Sequence, residues 1–332
     1  MSQRRFFPSW AGFLAACALL LPLFLAQPAA DAERLHLPPE TSAIIAKIYS
    51  FDIAGGTADA QRLQENQPDQ PLGYLLEAEA LWWRMWCTSA EYKYGMTNTW
   101  RRSKIRADDR YLALAAKASA LAQARLGEPL PPGQAAEMQL FAGLGDAFAA
   151  RLYGWRAEAR ATARAGVRAR EHFLRALQLD PDLTDAEFGL GLYNYYVDTL
   201  SGIAKFLGFF MGVPGGKKQE GIRQLEEDIA RGVLTPDAAR FYLAVNLHRY
   251  DQQYEKALAV IGPLAEKYPS NPLFQLVRGD LYAKLARKTQ AMECYRAAAA
   301  VSVQDAECRS HLEQLVRASL AAQGVSDVAA NP

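Results

Sequence analysis

An all-α fold built from repeated helical pairs, an α-α superhelix, is what this sequence predicts. Three observations carry the prediction. Two blocks echo each other: the run from Ala239 to Ala257, with Tyr254 opening its second helix, and the run from Phe274 to Ala291, with Lys288 in the same place. Their small residues Ala257 and Ala291 stand 34 residues apart, the period of a helix–turn–helix repeat. Almost everything after Glu40 also reads as helix, and no window shows the period-two alternation of Val, Ile and Thr that marks strands.

The 332 residues are 50% hydrophobic and 22% charged, values that suit a folded chain and exclude bulk disorder. Length would suggest two ordinary domains, but repeats pack on their neighbours and escape that rule. Net charge is +1, so the chain as a whole has no pull toward nucleic acid or anionic membrane.

Residues 1–32 read as an export signal. Arg4 and Arg5 precede an apolar run from Ala11 to Ala26, and Ala30-Asp31-Ala32 supplies the small residues of a cleavage site. Two alternatives stay open. Leu14-Ala15-Ala16-Cys17 matches a lipobox, which would anchor a lipoprotein at Cys17; an uncleaved membrane anchor is the other. Export would place Cys87, Cys294 and Cys308 in an oxidising compartment. Cys294 and Cys308 fall on successive helices, where a disulfide is geometrically allowed; buried free cysteine is the favoured reading.

Residues 33–133 read as irregular helical pairs. Thr41 to Phe51 is a helix stopped by Gly55-Gly56. Thr57 caps the next, and Leu72 to Cys87 carries Trp82, Trp83 and Trp86, which face both sides of the helix, so that at least one is core and Trp83 or Trp82 would lie on the outer side. Tyr92 to Asn98 reads as a loop, followed by a helix from about Lys104 to Leu126. The Pro129, Pro131, Pro132, Gly133 cluster breaks the chain. Residues 134–322 read as regular repeats. Helices run from Gln134 to Tyr153 and from Ala157 to Leu179, where Pro181 stops the second. Thr184 caps Asp185 to Thr199. Residues 201–216 form an apolar insert with Phe206, Phe209 and Phe210. Lys217 to Arg231 is helical, Thr235 caps the next helix, Glu307 to Leu320 closes the array, and 323–332 is a tail.

Where two helices cross closely only small side chains fit, which explains Gly279, Ala257, Ala291 and Ala298. Phe241, Tyr282, Ile261 and Tyr295 fill the holes between them, and Pro269 forces the turn to the next unit. Gly262-Pro263 predicts a kink or early break, since an interior proline costs about 3 kcal/mol in a straight helix. In these features Thr235 to Ala300 resembles the tetratricopeptide repeat family. Ala169, Phe173, Ala176, Pro181 and Gly191 match it in order. Pro181 and Pro269 are 88 residues apart, two periods plus 20, so an insert separates the units. Gly189-Leu-Gly-Leu-Tyr-Asn-Tyr-Tyr196, the apolar insert and Pro214-Gly-Gly-Lys-Lys-Gln-Glu-Gly221 look like the tetratricopeptide repeat 39 / inclusion-clearance family and its bacterial relatives.

That resemblance implies a scaffold whose concave groove is lined by first helices. Its groove positions would be Asn194, Tyr195 and Tyr196 in one unit, Tyr242, Asn246, Arg249 and Tyr250 in another, and Leu276, Asp280 and Lys284 in a third. Asparagine there would hydrogen-bond a peptide backbone and arginine would pair with a carboxylate. Arg156, Arg160, Arg164 and Arg168 stand four apart, sweeping a stripe that an anionic partner could use. From Arg151 to Arg175 seven arginines face two glutamates. A solvated face is the bland reading, and no aromatic residues interleave the stripe as nucleic acid would require.

Catalytic motifs are missing from the sequence: there is no phosphate-binding loop, no His-Glu-x-x-His and no Gly-x-Ser-x-Gly. His36, His172, His248 and His311 lack metal-ligand spacing, and no cofactor is implied. The expectation is an exported, non-enzymatic scaffold for a protein or peptide in the periplasm or cell envelope. The alternative is a membrane- or lipid-associated helper that uses the apolar residues 203–213.

Overall fold

The computed structural model describes residues 35–100, 103–200 and 212–324. The expected signal segment with Cys17, residues 201–211 of the insert and the tail from 325 onward lie outside the described residues.

The described residues form an all-α protein with one small hairpin. Helices α1 (Thr41–Tyr49), α2 (Ile53–Asn66) and α3 (Pro71–Ser89) lead into strands β1 (Ala90–Lys93) and β2 (Met96–Thr99). Then come α4 (Ala107–Leu126), α5 (Pro132–Arg156), α6 (Ala159–Leu179), α7 (Asp185–Thr199) and α8 (Lys218–Arg231). Helix α9 (Pro236–Asn246) runs into a π-helical turn, Leu247–Asp251. Helices α10 (Tyr254–Lys267), α11 (Pro272–Lys284), α12 (Lys288–Ala299) and α13 (Ala306–Ala322) complete the chain; most helices pack mainly on their sequence neighbours, and α13 packs as closely on α3 as on α12.

Local chemistry sets the boundaries. Pro71, Pro132, Pro236 and Pro272 each open a helix, where the missing N–H costs nothing and φ is already helical. Asn271 caps α11 by accepting from the Leu273 and Phe274 N–H groups, and Asp305 caps α13 through Cys308 N–H. The expected Thr57 cap is incorrect: Asp52 caps α2 through Gly55 N–H, and Gly55-Gly56 lie inside that helix. A Cβ on Gly56 would sit 2.7 Å from Ile48 Cγ1, so the glycine lets α1 and α2 approach rather than stopping a helix. Thr184 and Thr235 hold the N-cap positions of α7 and α9 but make no capping bond. The Thr235 hydroxyl instead lies 3.1 Å from Asp185 and 2.9 Å from Asp228, and Asp185 accepts the N–H groups of Val233, Leu234 and Thr235.

The small residues stand where the crossings need them. Ala257, Ala291 and Ala298 are fully buried. A Cβ on Gly279 would lie 2.5 Å from the Tyr295 ring, so α11 and α12 meet at that glycine. The expected break at Pro263 does not occur: α10 runs unbroken through it. Pro263 and Ala259, whose carbonyl loses its partner, both face solvent, where water can satisfy that carbonyl.

Tyr92 to Asn98 is not a loop. β1 and β2 pair antiparallel through a two-residue turn at Tyr94 and Gly95, with φ of 55° and 71°. Both central residues of a type I′ hairpin turn need positive φ. Met96, Thr97 and Asn98 are all buried, so β2 shows no polar–apolar alternation.

Helix α3 is the hub of the core. Trp83 meets Phe241 of α9 at 4.8 Å and Phe274 of α11 at 5.4 Å, with Tyr49 of α1 at 5.6 Å. On its other side Trp82 meets Tyr111 of α4 and Trp155 of α5. All three tryptophans of this helix are buried, which corrects the expectation of an outward-facing one. A disulfide joins Cys87 of α3 to Cys308 of α13, with 5.5 Å between Cα atoms. This corrects the favoured reading of free cysteine for Cys87 and Cys308, and excludes the pairing of Cys308 with Cys294. Cys294 is free and buried in the α11–α12 crossing, 3.2 Å from where a Gly279 Cβ would stand. Arg84 adds ion pairs to Asp305 and Glu307 beside the disulfide, and Asn271 donates to the Tyr49 carbonyl.

Candidate functional site

The residues expected to line one groove divide into two groups. The first is engaged from within. The Tyr242 hydroxyl oxygen accepts from Arg151 at 2.9 Å, and Arg151 also donates to the Tyr111 hydroxyl and pairs with Glu79 at 2.9 Å. Its guanidinium lies between Trp82 and Phe148, 4.1 and 4.4 Å from their centroids. Burial opposes the Arg151 charge, but Glu79 and the facing tyrosines hold it well above the ordinary arginine value. Burial pushes the Tyr242 hydroxyl up to about 12, so it remains neutral. This network of α3, α4, α5 and α9 was invisible in the sequence, where Arg151 reads as one more member of an exposed basic run.

Asp280 is also closed off. It is fully buried and accepts the Thr97 N–H of β2 and the Tyr295 hydroxyl of α12. Burial pushes its carboxyl up to about 7, partly opposed by those two donors. Leu276 is buried. Lys284 is exposed but gives its ammonium to the Tyr94 carbonyl at 2.7 Å. The expected groove positions on α11 are therefore covered by the chain's own hairpin, while Trp83 of α3 packs on Phe241 of α9 and Phe274 of α11. His248, beside them on the π turn, is buried with its Nε2 unpartnered, and burial holds its imidazole down to about 4.

The second group converges where α7 meets the π turn. Asn194 donates to Gln224 of α8 at 2.7 Å. The buried Tyr195 hydroxyl lies 2.9 Å from Asp251, which Lys218 also pairs at 2.6 Å. Tyr196 donates to Asn246 Oδ1 at 3.0 Å. Asn246 is 1% exposed, and its Nδ2 has no hydrogen-bond partner among the described residues. Tyr196 and Tyr250 are 37% and 45% exposed, with ring centroids 6.3 Å apart. Arg249 lies over Tyr250 at 5.2 Å and over Trp100 at 4.7 Å. The π turn widens the helix by one residue per turn and re-aims Arg249 and Tyr250 relative to a regular helix. Two aromatic rings and a guanidinium thus share one open face, with an unsatisfied amide buried beneath them. Trp100 belongs to it too, and only the hairpin explains how residue 100 reaches residue 249.

Family models and curated proteins were compared with this chain. Neither comparison finds a match.

The arginine row is not one open stripe. Arg156 is buried against Asp108 of α4 at 2.5 Å and lies over Trp155. Arg168 pairs with Asp146 of α5 at 2.6 Å. Arg160 and Arg164 are exposed and carry no ion pair among the described residues. The ends of the row are taken because α4 and α5 place carboxylates against it. Among the described residues no group of three or more His, Cys, Asp or Glu side chains could hold a metal ion, and no helix is long and apolar enough to cross a membrane.

Proposed function

We propose that the protein is an exported, non-enzymatic scaffold of the tetratricopeptide type that holds a protein or peptide ligand at Tyr196, Asn246, Arg249 and Tyr250. The observation that carries this reading is the unpartnered Asn246 amide beside two exposed tyrosine rings and Arg249. A buried donor without an acceptor costs about 1–3 kcal/mol, and a ligand carbonyl placed on it would recover that cost. The amide is closed to water, so the ligand reaches it by turning aside a covering side chain. Arg249 would then pair with a ligand carboxylate, and the tyrosines would pack on its side chains.

The 34-residue period and the small residues at the crossings support the repeat architecture. The Cys87–Cys308 disulfide supports export, because such bonds persist in oxidising compartments. Internal use of Tyr242 and Asp280 narrows the ligand surface to one end of the expected groove. A photo-crosslinker at Tyr250, read by mass spectrometry in the native cell, should capture a discrete partner. Capture should fall at least tenfold in Asn246→Ala and Arg249→Ala with little change in melting temperature. Unchanged capture in both variants would overturn the assignment.

A further inference from the structure

The hairpin turn carries a side chain that its local geometry disfavours. Tyr94 is 81% exposed, the most exposed large hydrophobic side chain among the described residues. It occupies a left-handed position, φ 55°, followed by Gly95. Asparagine is the preferred residue there, and an aromatic ring is conformationally costly. The ring makes an edge contact with Trp100 at 5.4 Å and otherwise projects to solvent. A strained turn that displays an apolar ring breaks two local rules at once, as functional positions do.

Cations surround this ring. Lys93 precedes it, and Lys284 donates to the Tyr94 carbonyl. Residues 92–107 contain Lys93, Arg101, Arg102, Lys104 and Arg106 and no carboxylate, in a chain whose net charge is only +1. Lys93 pairs with the half-buried Glu91, and Lys104 pairs with Asp109 at exposed positions where pairing is weak. Arg106 is exposed, and Ile105 next to it is 36% exposed. Trp100 and Ile105 are fixed on the same end of α5. Trp155 donates to the Trp100 carbonyl, and Arg156 holds Asp108, which accepts from Ile105 N–H.

We infer that Tyr94, Trp100 and Ile105, ringed by Lys93, Lys104, Arg106 and Lys284, form a docking element for an anionic lipid surface. Amphipathic rings settle at the depth of lipid headgroups with their hydroxyl or N–H toward water, and interspersed lysine and arginine attract the anionic headgroups. Charge complementarity selects anionic over neutral lipid. The face differs from the ligand cluster around Asn246 and touches it only through Trp100.

The test is sedimentation of the purified mature protein with vesicles of equal parts phosphatidylglycerol and phosphatidylcholine, against pure phosphatidylcholine. Binding to the anionic vesicles alone, falling as salt rises, is expected. Each surface cation contributes roughly fivefold in affinity, so the combined Lys93→Gln, Lys104→Gln and Arg106→Gln variant should bind about 100-fold more weakly. Tyr94→Asn should also weaken binding, while the turn keeps or gains stability because Asn-Gly suits it. These variants leave Asn246, Arg249 and Tyr250 intact, so loss of lipid binding and loss of ligand capture are read separately. Equal binding by wild type and variants, equal binding to both vesicle types, or binding to an acidic polypeptide but not to vesicles would each overturn the inference.

Discussion

Asp280→Asn should change how stability depends on pH, and the direction follows from where the carboxyl sits. Asp280 is fully buried between the Thr97 N–H and the Tyr295 hydroxyl, with Tyr92, Lys284 and Cys294 as the other titratable groups that act on it or its partners. Burial raises its carboxyl from 3.8 to about 7 in the folded protein. Below pH 3.8 both states are protonated and nothing is lost. Between 3.8 and 7 the folded state holds a proton that the unfolded chain has released, so stability falls as pH rises. Above 7 the loss is complete, at about 1.4 kcal/mol for each unit of difference, or about 4 kcal/mol in all. The asparagine side chain does not titrate. The melting temperature of Asp280→Asn relative to wild type should therefore climb by about 5 °C between pH 4.5 and 8.5. Differential scanning calorimetry across that range reads the difference directly, and other carboxylates cancel in it. A constant difference would refute the burial argument.

Trp83→Ala should cost about 3–5 kcal/mol in urea unfolding, because its ring fills the space between Tyr49, Phe241 and Phe274. A loss below 1 kcal/mol would show that α3 does not pack on α9 and α11. Pro263→Ala should stabilise by about 1–3 kcal/mol, since α10 is already continuous and the solvent-facing Ala259 carbonyl would regain its helical partner. Destabilisation would mean that the helix depends on the proline.

The helices between Thr235 and Ala300 were legible because close helix crossings demand small residues, and Gly279, Ala257 and Ala291 stand at them. The hairpin was not legible. Its strands are four residues long, and three consecutive residues of β2 are buried, so the alternation that betrays a strand is missing. Arg151 could not be told from its exposed neighbours, because its partners Glu79, Tyr111 and Tyr242 come from three other helices. The same limit applies to Cys87 and Cys308, 221 residues apart: the sequence favoured free buried cysteines and allowed at most a Cys294–Cys308 bond, whereas the fold brings α3 to α13. Of the candidate ligand residues, Tyr196, Arg249 and Tyr250 remain exposed or half-buried on one face, and Tyr242 and Asp280 are used to hold the fold.

Occupation of the faces of α9 and α11 by α3 and the hairpin, with α3 bonded to α13, is tested most directly by peptide mapping of the non-reduced protein. A single disulfide between the peptides of Cys87 and Cys308, with Cys294 recovered as a free thiol after denaturation, is the expected result. In the chain-entropy picture that closure contributes up to about 5 kcal/mol, so a thiol reductant should lower the melting temperature of the wild type and leave Cys87→Ser unchanged. A Cys294–Cys308 disulfide, or Cys87 recovered free, would contradict the packing of α3 against the end of the chain.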